Sequence, residues 1–318
     1  MEILSQSNIL SHNVLTAINF NLFTRFFNLI LNSVTSPAFY NIYIKLPTQS
    51  TPLNPYISEN PKFYPFFKGA LGALDGTHIC ARPPVSARSC YRNHKSGVSQ
   101  NVLTATTFNM HFCYILSGWE GSASDGGVFH DACVHDLELP DGKYYLADAG
   151  YPICDALLVP FHGVRYHPGV GKLWFEVCLD YYFQTYYNPD LLDRPQNYKE
   201  LYNLRHSQAW NIVERIFGVA KKHFAIIWET NQYPMLTQAK IVSACGVTHN
   251  FIRTFDPDDM PEPLEPEDQV TSPALYTGEL GAGSIGHPET CRASKQREDI
   301  ANAMWLSYQM EFQDSGQV

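Results

Sequence analysis

The sequence predicts a mixed α/β domain, and three observations predict it. Short apolar or β-branched runs recur between residues 70 and 147, a turn cluster at Asn109-Met110-His111 joins two of them as a hairpin, and two amphipathic helical stretches follow between about residues 198 and 255. With 318 residues, 45% of them hydrophobic, the chain has ample core for one large domain or two small ones.

Residues 1–46 read as a helical N-terminal segment, because Ile18, Leu22, Phe26 and Ile30 fall at steps of four. Residues 47–65 carry five prolines (47, 52, 55, 61 and 65) among Ser, Thr and Asn, the composition of an extended surface connector. The domain proper is expected over 66–256. An apolar run from Phe66 to Leu74 leads into a strand ending at Asp75, and a basic segment with Arg82, Arg88, Arg92 and Lys95 and no acid follows. Ser99 to Phe108 and Phe112 to Ser117 make the hairpin, which Gly118 to Ser122 should end. Ser124-Asp125 caps a helix over Val128 to Val134, and Lys143 to Ala147 is a strand stopped by Gly150 and Pro152. Gly169 to Asn188, dense in aromatics, carries no assignment. One helix is expected from about Tyr198 to Phe224, with Ala209, Ile212, Val213, Ile216, Phe217 and Ala220 on one stripe, and a second from Gln238 to Phe255. Residues 257–318 form an acidic, mostly disordered tail with a short helix over 289–312.

The net charge of −9 would by itself argue against a polyanionic partner, but it is concentrated in that tail. From Pro257 onward there are 12 Asp and Glu against 3 Lys and Arg, whereas residues 1–256 hold 19 of each. Overall acidity therefore says little about what the body binds. Eight cysteines without a CxxC pair suggest buried free thiols in a reducing compartment rather than a zinc site. The N-terminus lacks a basic leader, and no apolar run approaches the ~18 residues of a membrane span, so neither a signal peptide nor a spanning segment is expected.

Asp75 and Asp148 each close an apolar strand, and Glu214 lies on the flank of the helical stripe. Carboxylates brought together from separate elements suit a hard cation such as Mg²⁺ or Mn²⁺, which activates water and stabilises a leaving oxygen in phosphodiester hydrolysis. Either aspartate alone would be an ordinary turn or cap residue. Asp125 reads as a helix N-cap, with metal contact the alternative, and His78 as a structural histidine. Lys221, two helical turns after Glu214 on the same face, suits either a phosphate or solvent. The basic segment, with Tyr91 interleaved, suits DNA or simple solubility. Trp119 and the aromatics between 174 and 187 read as core.

Six stretches carry a resemblance. Leu74-Asp-Gly-Thr-His78, Ser99-Gln-Asn-Val102, Gly118-Trp-Glu-Gly-Ser-Ala-Ser-Asp125, Tyr145-Leu-Ala-Asp-Ala-Gly-Tyr-Pro152, Gly163-Val-Arg-Tyr-His167 and Asn211-Ile-Val-Glu-Arg-Ile-Phe-Gly218 closely resemble the DDE transposases of the PIF/Harbinger superfamily and the nucleases derived from them, in the right order from about Pro61 to Asp259. The resemblance implies an RNase H-like core, a mixed sheet flanked by helices, with a divalent metal held by Asp75, Asp148 and Glu214. Asp125 belongs to a signature acid of the family that is sometimes counted with the metal set. Trp210 departs from the pattern, since the family usually carries Arg four residues before the catalytic Glu, and Gly169 to Leu191 departs from it too.

The function expected from these residues is metal-dependent cutting of DNA by a transposon-derived endonuclease. The resemblance adds a separate Myb-like DNA-binding partner, and the substrate implies the nucleus; a homo-oligomer is an open possibility. The competing readings are a decayed or domesticated transposase fold acting as a DNA- or protein-binding protein, and a metal phosphohydrolase of small molecules, which would leave the basic segment idle.

Overall fold

The computed structural model describes residues 22–94, 96–164, 194–227, 229, 231–259 and 286–314. At its centre lies a five-stranded mixed sheet in the order β3-β2-β1-β4-β5. Strands β1 (Ala70–Cys80), β2 (Ser99–Thr107) and β3 (Phe112–Glu120) pair antiparallel, while β4 (Tyr144–Ala147) and β5 (Leu157–Leu158) add in parallel on the other side of β1. The hairpin turn sits at Met110, which adopts a φ of 60°. β3 runs past the expected end at Gly118, whose φ of +96° carries a register shift against β2 that a residue with a side chain would strain to adopt.

Alternation along the strands divides the core between the two faces of the sheet. Leu74, Tyr145, Ala147 and Leu157 pack on Val128, Phe129 and Ala132 of α4 (Asp125–His135). Ala73, Leu146 and Leu158 belong to the opposite core, shared with α5 (Tyr198–Trp210), α6 (Ile212–His223) and Val247 of α7 (Met235–Phe255). A third cluster joins Ile79 and Val102 to Ile241, Val242 and Cys245 of α7. Asn250 pins α7 to the start of β3, accepting from the Phe112 N–H at 2.9 Å and donating to the Phe112 carbonyl at 2.7 Å.

Several expectations need correction. The N-terminal helix α1 is helical over 22–34, but the stripe that periodicity marks faces outward: Leu22, Phe26 and Ile30 are 49%, 55% and 63% exposed, and Phe27, Leu31 and Val34 pack instead. Ile18 lies outside the described residues. The proline-rich connector is not merely a surface strap. After α2 (Pro37–Tyr43), a short α3 (Pro55–Ser58) opens on the Asn54 cap, and Ile57 and Phe63 are buried in the main core.

The single helix expected from Tyr198 to Phe224 is two, divided at Asn211. The apolar stripe crosses the break without losing phase, as Ala209, Ile212, Val213, Ile216 and Ala220 are all buried, so periodicity alone does not reveal it. The Gln208 carbonyl, at the end of α5, accepts from the Tyr56 hydroxyl at 3.3 Å.

Of the tail, 260–285 and 315–318 lie outside the described residues, as does 165–193, which includes the unassigned aromatic stretch. The expected terminal helix is present and longer: α8 (His287–Asp314) lies along α5 and β5. Ala293, Ala301 and Met304 are buried there, Tyr198 donates to Glu298 at 2.6 Å, and Arg297 donates to the Pro160 carbonyl at 2.9 Å. Among the described residues no helix is long and apolar enough to cross a membrane. The described cysteines are free, with Cys113, Cys154 and Cys245 buried.

Candidate active site

The parallel pairing of β1 with β4 sets Leu74 opposite Ala147, so the next residues along, Asp75 and Asp148, come side by side. Each follows by two a residue of the α5–α6 core, Ala73 and Leu146 respectively, and alternation therefore turns both carboxylates toward α6. Glu214 occupies the first turn of α6, between the buried Val213 and Ile216. All three acids thus share one face of the sheet, each half-buried. β4 ends just before Asp148, as the sequence predicts, but β1 does not end at Asp75: it continues five residues to Cys80.

Local hydrogen bonds hold the aspartates. Asp75 Oδ1 accepts from the Gly76 N–H at 2.8 Å, and Asp148 Oδ2 accepts from the Gly150 N–H at 3.5 Å in the turn that follows β4. Asp125 approaches from the α4 side. Ser124, not Asp125, caps the helix, accepting from the Gly127 N–H at 3.2 Å. This frees the Asp125 carboxylate to reach the sheet instead, where Asn101 Nδ2 of β2 donates to its Oδ1 at 2.9 Å. Gly76 makes that approach possible, because a Cβ there would lie 2.8 Å from Asp125 Oδ1 and 3.2 Å from the Tyr151 hydroxyl.

The charges feel one another. Burial, then the charges of Asp148, Asp125 and Glu214, push the Asp75 carboxyl well above the usual carboxylate range. Burial and then Asp148 push Glu214 up to about 7, while Lys221 pulls it back. Burial lowers the Lys221 ammonium, and Asp75, Cys80 and Glu214 raise it, so Lys221 lies within reach of two of the acids. The convergence stops short of a closed cage: among the described residues no three His, Cys, Asp or Glu side chains form a ready-made metal cluster.

The basic residues of the sequence reading lie elsewhere. Arg82, Arg88 and Arg92 are exposed on the segment after β1, which starts about 16 Å along the strand from Asp75 at ~3.3 Å per residue. Its backbone is fastened, with Gln238 of α7 bridging the Arg82 N–H and carbonyl at 3.1 and 3.3 Å. Lys95 lies outside the described residues. His78 is the structural histidine expected, its Nδ1 3.1 Å from the Ser99 hydroxyl, and Trp119 packs against the α4-side core. Asn101 and Tyr151 lie in the motif stretches with no role visible in sequence; only the folded chain brings them to Asp125 and Gly76.

The description "DDE superfamily endonuclease" matches residues 74–250, more than half of the chain, and that span contains all four acids. The chain belongs to the DDE superfamily endonucleases. A curated member of similar sequence is the Rattus norvegicus protein named "Putative nuclease HARBI1", 21% identical over 189 residues. The match covers 58% of this chain and 46% of the rat protein, so the chain spans about half the length of that relative. No solved structure matches. Both matches agree with the Harbinger-type family that the six stretches resemble.

Proposed function

We propose that this chain is a transposon-derived endonuclease of RNase H-like architecture that hydrolyses DNA phosphodiesters with Mg²⁺ or Mn²⁺. The observation that carries the reading is the convergence of Asp75, Asp148 and Glu214, from two parallel strands and one helix, on one face of the sheet. A mixed sheet with helices on both faces supports the architecture.

The residues fit a hard divalent cation. Every donor is a carboxylate oxygen, the type Mg²⁺ and Mn²⁺ take, and Asp75 bears the repulsion of three other acids, which a cation relieves. Asp75, Asp148 and Glu214 would hold it, with Asp125 as a further oxygen beside Gly76. When bound, the cation supplies the charge that makes water, or a freed 3′-hydroxyl, acidic near neutral pH and that stabilises the leaving oxygen. Lys221, next to Asp75 and Glu214, offers its ammonium to the phosphate. Arg82, Arg88 and Arg92 extend the basic contact along the duplex, away from the acids, and Lys95 adds to the charge of the same segment in sequence. A separate Myb-like partner would choose the target, in the nucleus.

The test is cleavage of a terminal-repeat DNA with and without Mg²⁺ or Mn²⁺. Asp75→Ala and Glu214→Ala are expected to lose cutting by at least about a hundredfold. Variants that cut as well as the parent would overturn the assignment.

A further inference from the structure

Tyr151 has an unexplained hydroxyl. The residue is 2% exposed, with its ring edge-on to Phe129 at 6.3 Å in the core under α4. Its hydroxyl is buried, with its oxygen toward the Gly76 N–H and its own hydrogen donated to no acceptor. Buried phenols are normally satisfied, and an exception asks for a reason. Packing gives none, since phenylalanine would fill the same apolar space. Substrate contact gives none either, because the residue is enclosed on the α4 side of the sheet.

The position of the hydroxyl is informative. It lies over Gly76, where a Cβ would be 3.2 Å from it and 2.8 Å from Asp125 Oδ1. The charges nearest in effect are Asp125, then Asp75 and Asp148. Asp125 is already gripped from one side by Asn101, itself 1% exposed and also donating to the Ala123 carbonyl at 3.1 Å. An idle donor facing a carboxylate that is held at one oxygen is the arrangement of an outer-layer partner waiting for its ligand.

We propose that Tyr151 is a positioning residue of the cation site. Its hydroxyl donates to the Asp125 carboxylate in the loaded site, so that Asn101 and Tyr151 together fix how Asp125 faces the cation shared with Asp75. This rests on the reading of Asp75, Asp148 and Glu214 as the cation's ligands.

The experiment is calorimetric titration of the full chain with Mn²⁺ alone, alongside thermal melting in EDTA, for the parent, Asp75→Asn and Tyr151→Phe. The parent should bind and Asp75→Asn should not. Tyr151→Phe should melt at or above the parent in EDTA yet bind Mn²⁺ about ten- to a hundredfold more weakly. Binding by Tyr151→Phe within twofold of the parent overturns the inference while leaving the cation reading intact. A Tyr151→Phe protein that melts well below the parent shows the hydroxyl to be structural and also overturns it. A parent that binds no Mn²⁺ overturns the cation reading itself, and the role of Tyr151 with it.

Discussion

The indole Nε1–H of Trp210 donates to the carbonyl of Leu74 across 3.3 Å, tying the last turn of α5 to the residue before Asp75. By sequence, Trp210 stands where the family usually carries arginine, which reads as the loss of a cation beside the acids. In the fold the indole is 6% exposed within the core shared by α5, α6 and the sheet. It acts on the backbone of the strand that presents Asp75.

Trp210→Phe should therefore cost about 1–2 kcal/mol, the loss of a buried hydrogen bond and some volume. Trp210→Arg should cost more, about 3 kcal/mol or above, because a guanidinium would be buried among apolar neighbours. Urea unfolding measures both. An arginine variant as stable as the parent and faster at cutting DNA would show that the position does lack a cation.

Gly76→Ala should displace Asp125. The new methyl group would meet Asp125 Oδ1 at 2.8 Å and the Tyr151 hydroxyl at 3.2 Å, and a carboxylate pushed aside would strain its bond from Asn101. A loss of about 1–3 kcal/mol is expected from overpacking, together with weaker Mn²⁺ binding, read by melting and calorimetry on the same sample.

Asp75→Asn should raise stability where no divalent ion is present. It removes one of four acids that repel one another, and such active-site charge removals commonly gain about 0.5–2 kcal/mol. Added Mg²⁺ should reverse the order, stabilising the parent alone. Melting curves in EDTA and in Mg²⁺ check both halves; an unchanged order would argue against a shared cation.

Two buried histidines should make the fold acid-labile. His206 Nε2 lies 2.9 Å from the Leu158 carbonyl and His249 Nε2 lies 3.0 Å from that of Met110, and burial lowers each imidazole from 6.5 to about 4. As pH falls through 6.5 the unfolded chain takes up these protons first, so stability is complete above that value and is lost progressively down to about 4. At pH 5 each histidine accounts for about 2 kcal/mol. Urea midpoints at pH 7.5 and 5 should differ by less in His206→Gln than in the parent.

Much of the architecture was legible because strand and helix patterns are local. The hairpin shows in the β-branched runs around Asn109-Met110-His111, and the α5–α6 stripe in its spacing of three and four. β5, two residues long, is too short to leave a pattern. The outward turn of Leu22, Phe26 and Ile30 is a tertiary choice, since periodicity marks an apolar face without saying what covers it. At the site, residue types and flanks singled out the acids, but their meeting depends on the parallel register of Leu74 with Ala147, which neither strand encodes alone. Asn101 and Trp210 act through partners 24 and 136 residues away, and Tyr151 lies over a glycine 75 residues earlier, distances at which a sequence pattern is silent.

The interruption at Asn211 has an electrostatic consequence. Had the helix run on unbroken, Glu214 would stand in mid-helix; restarting at Ile212 gives α6 an N-terminal end of its own and sets this carboxylate in its opening turn. Backbone dipoles there sum to roughly half a positive elementary charge. The break at one residue thus lends the crowded acids a fixed counter-charge made of main chain, which trimming side chains to alanine would leave in place and which a proline beyond the first turn of α6 would disrupt.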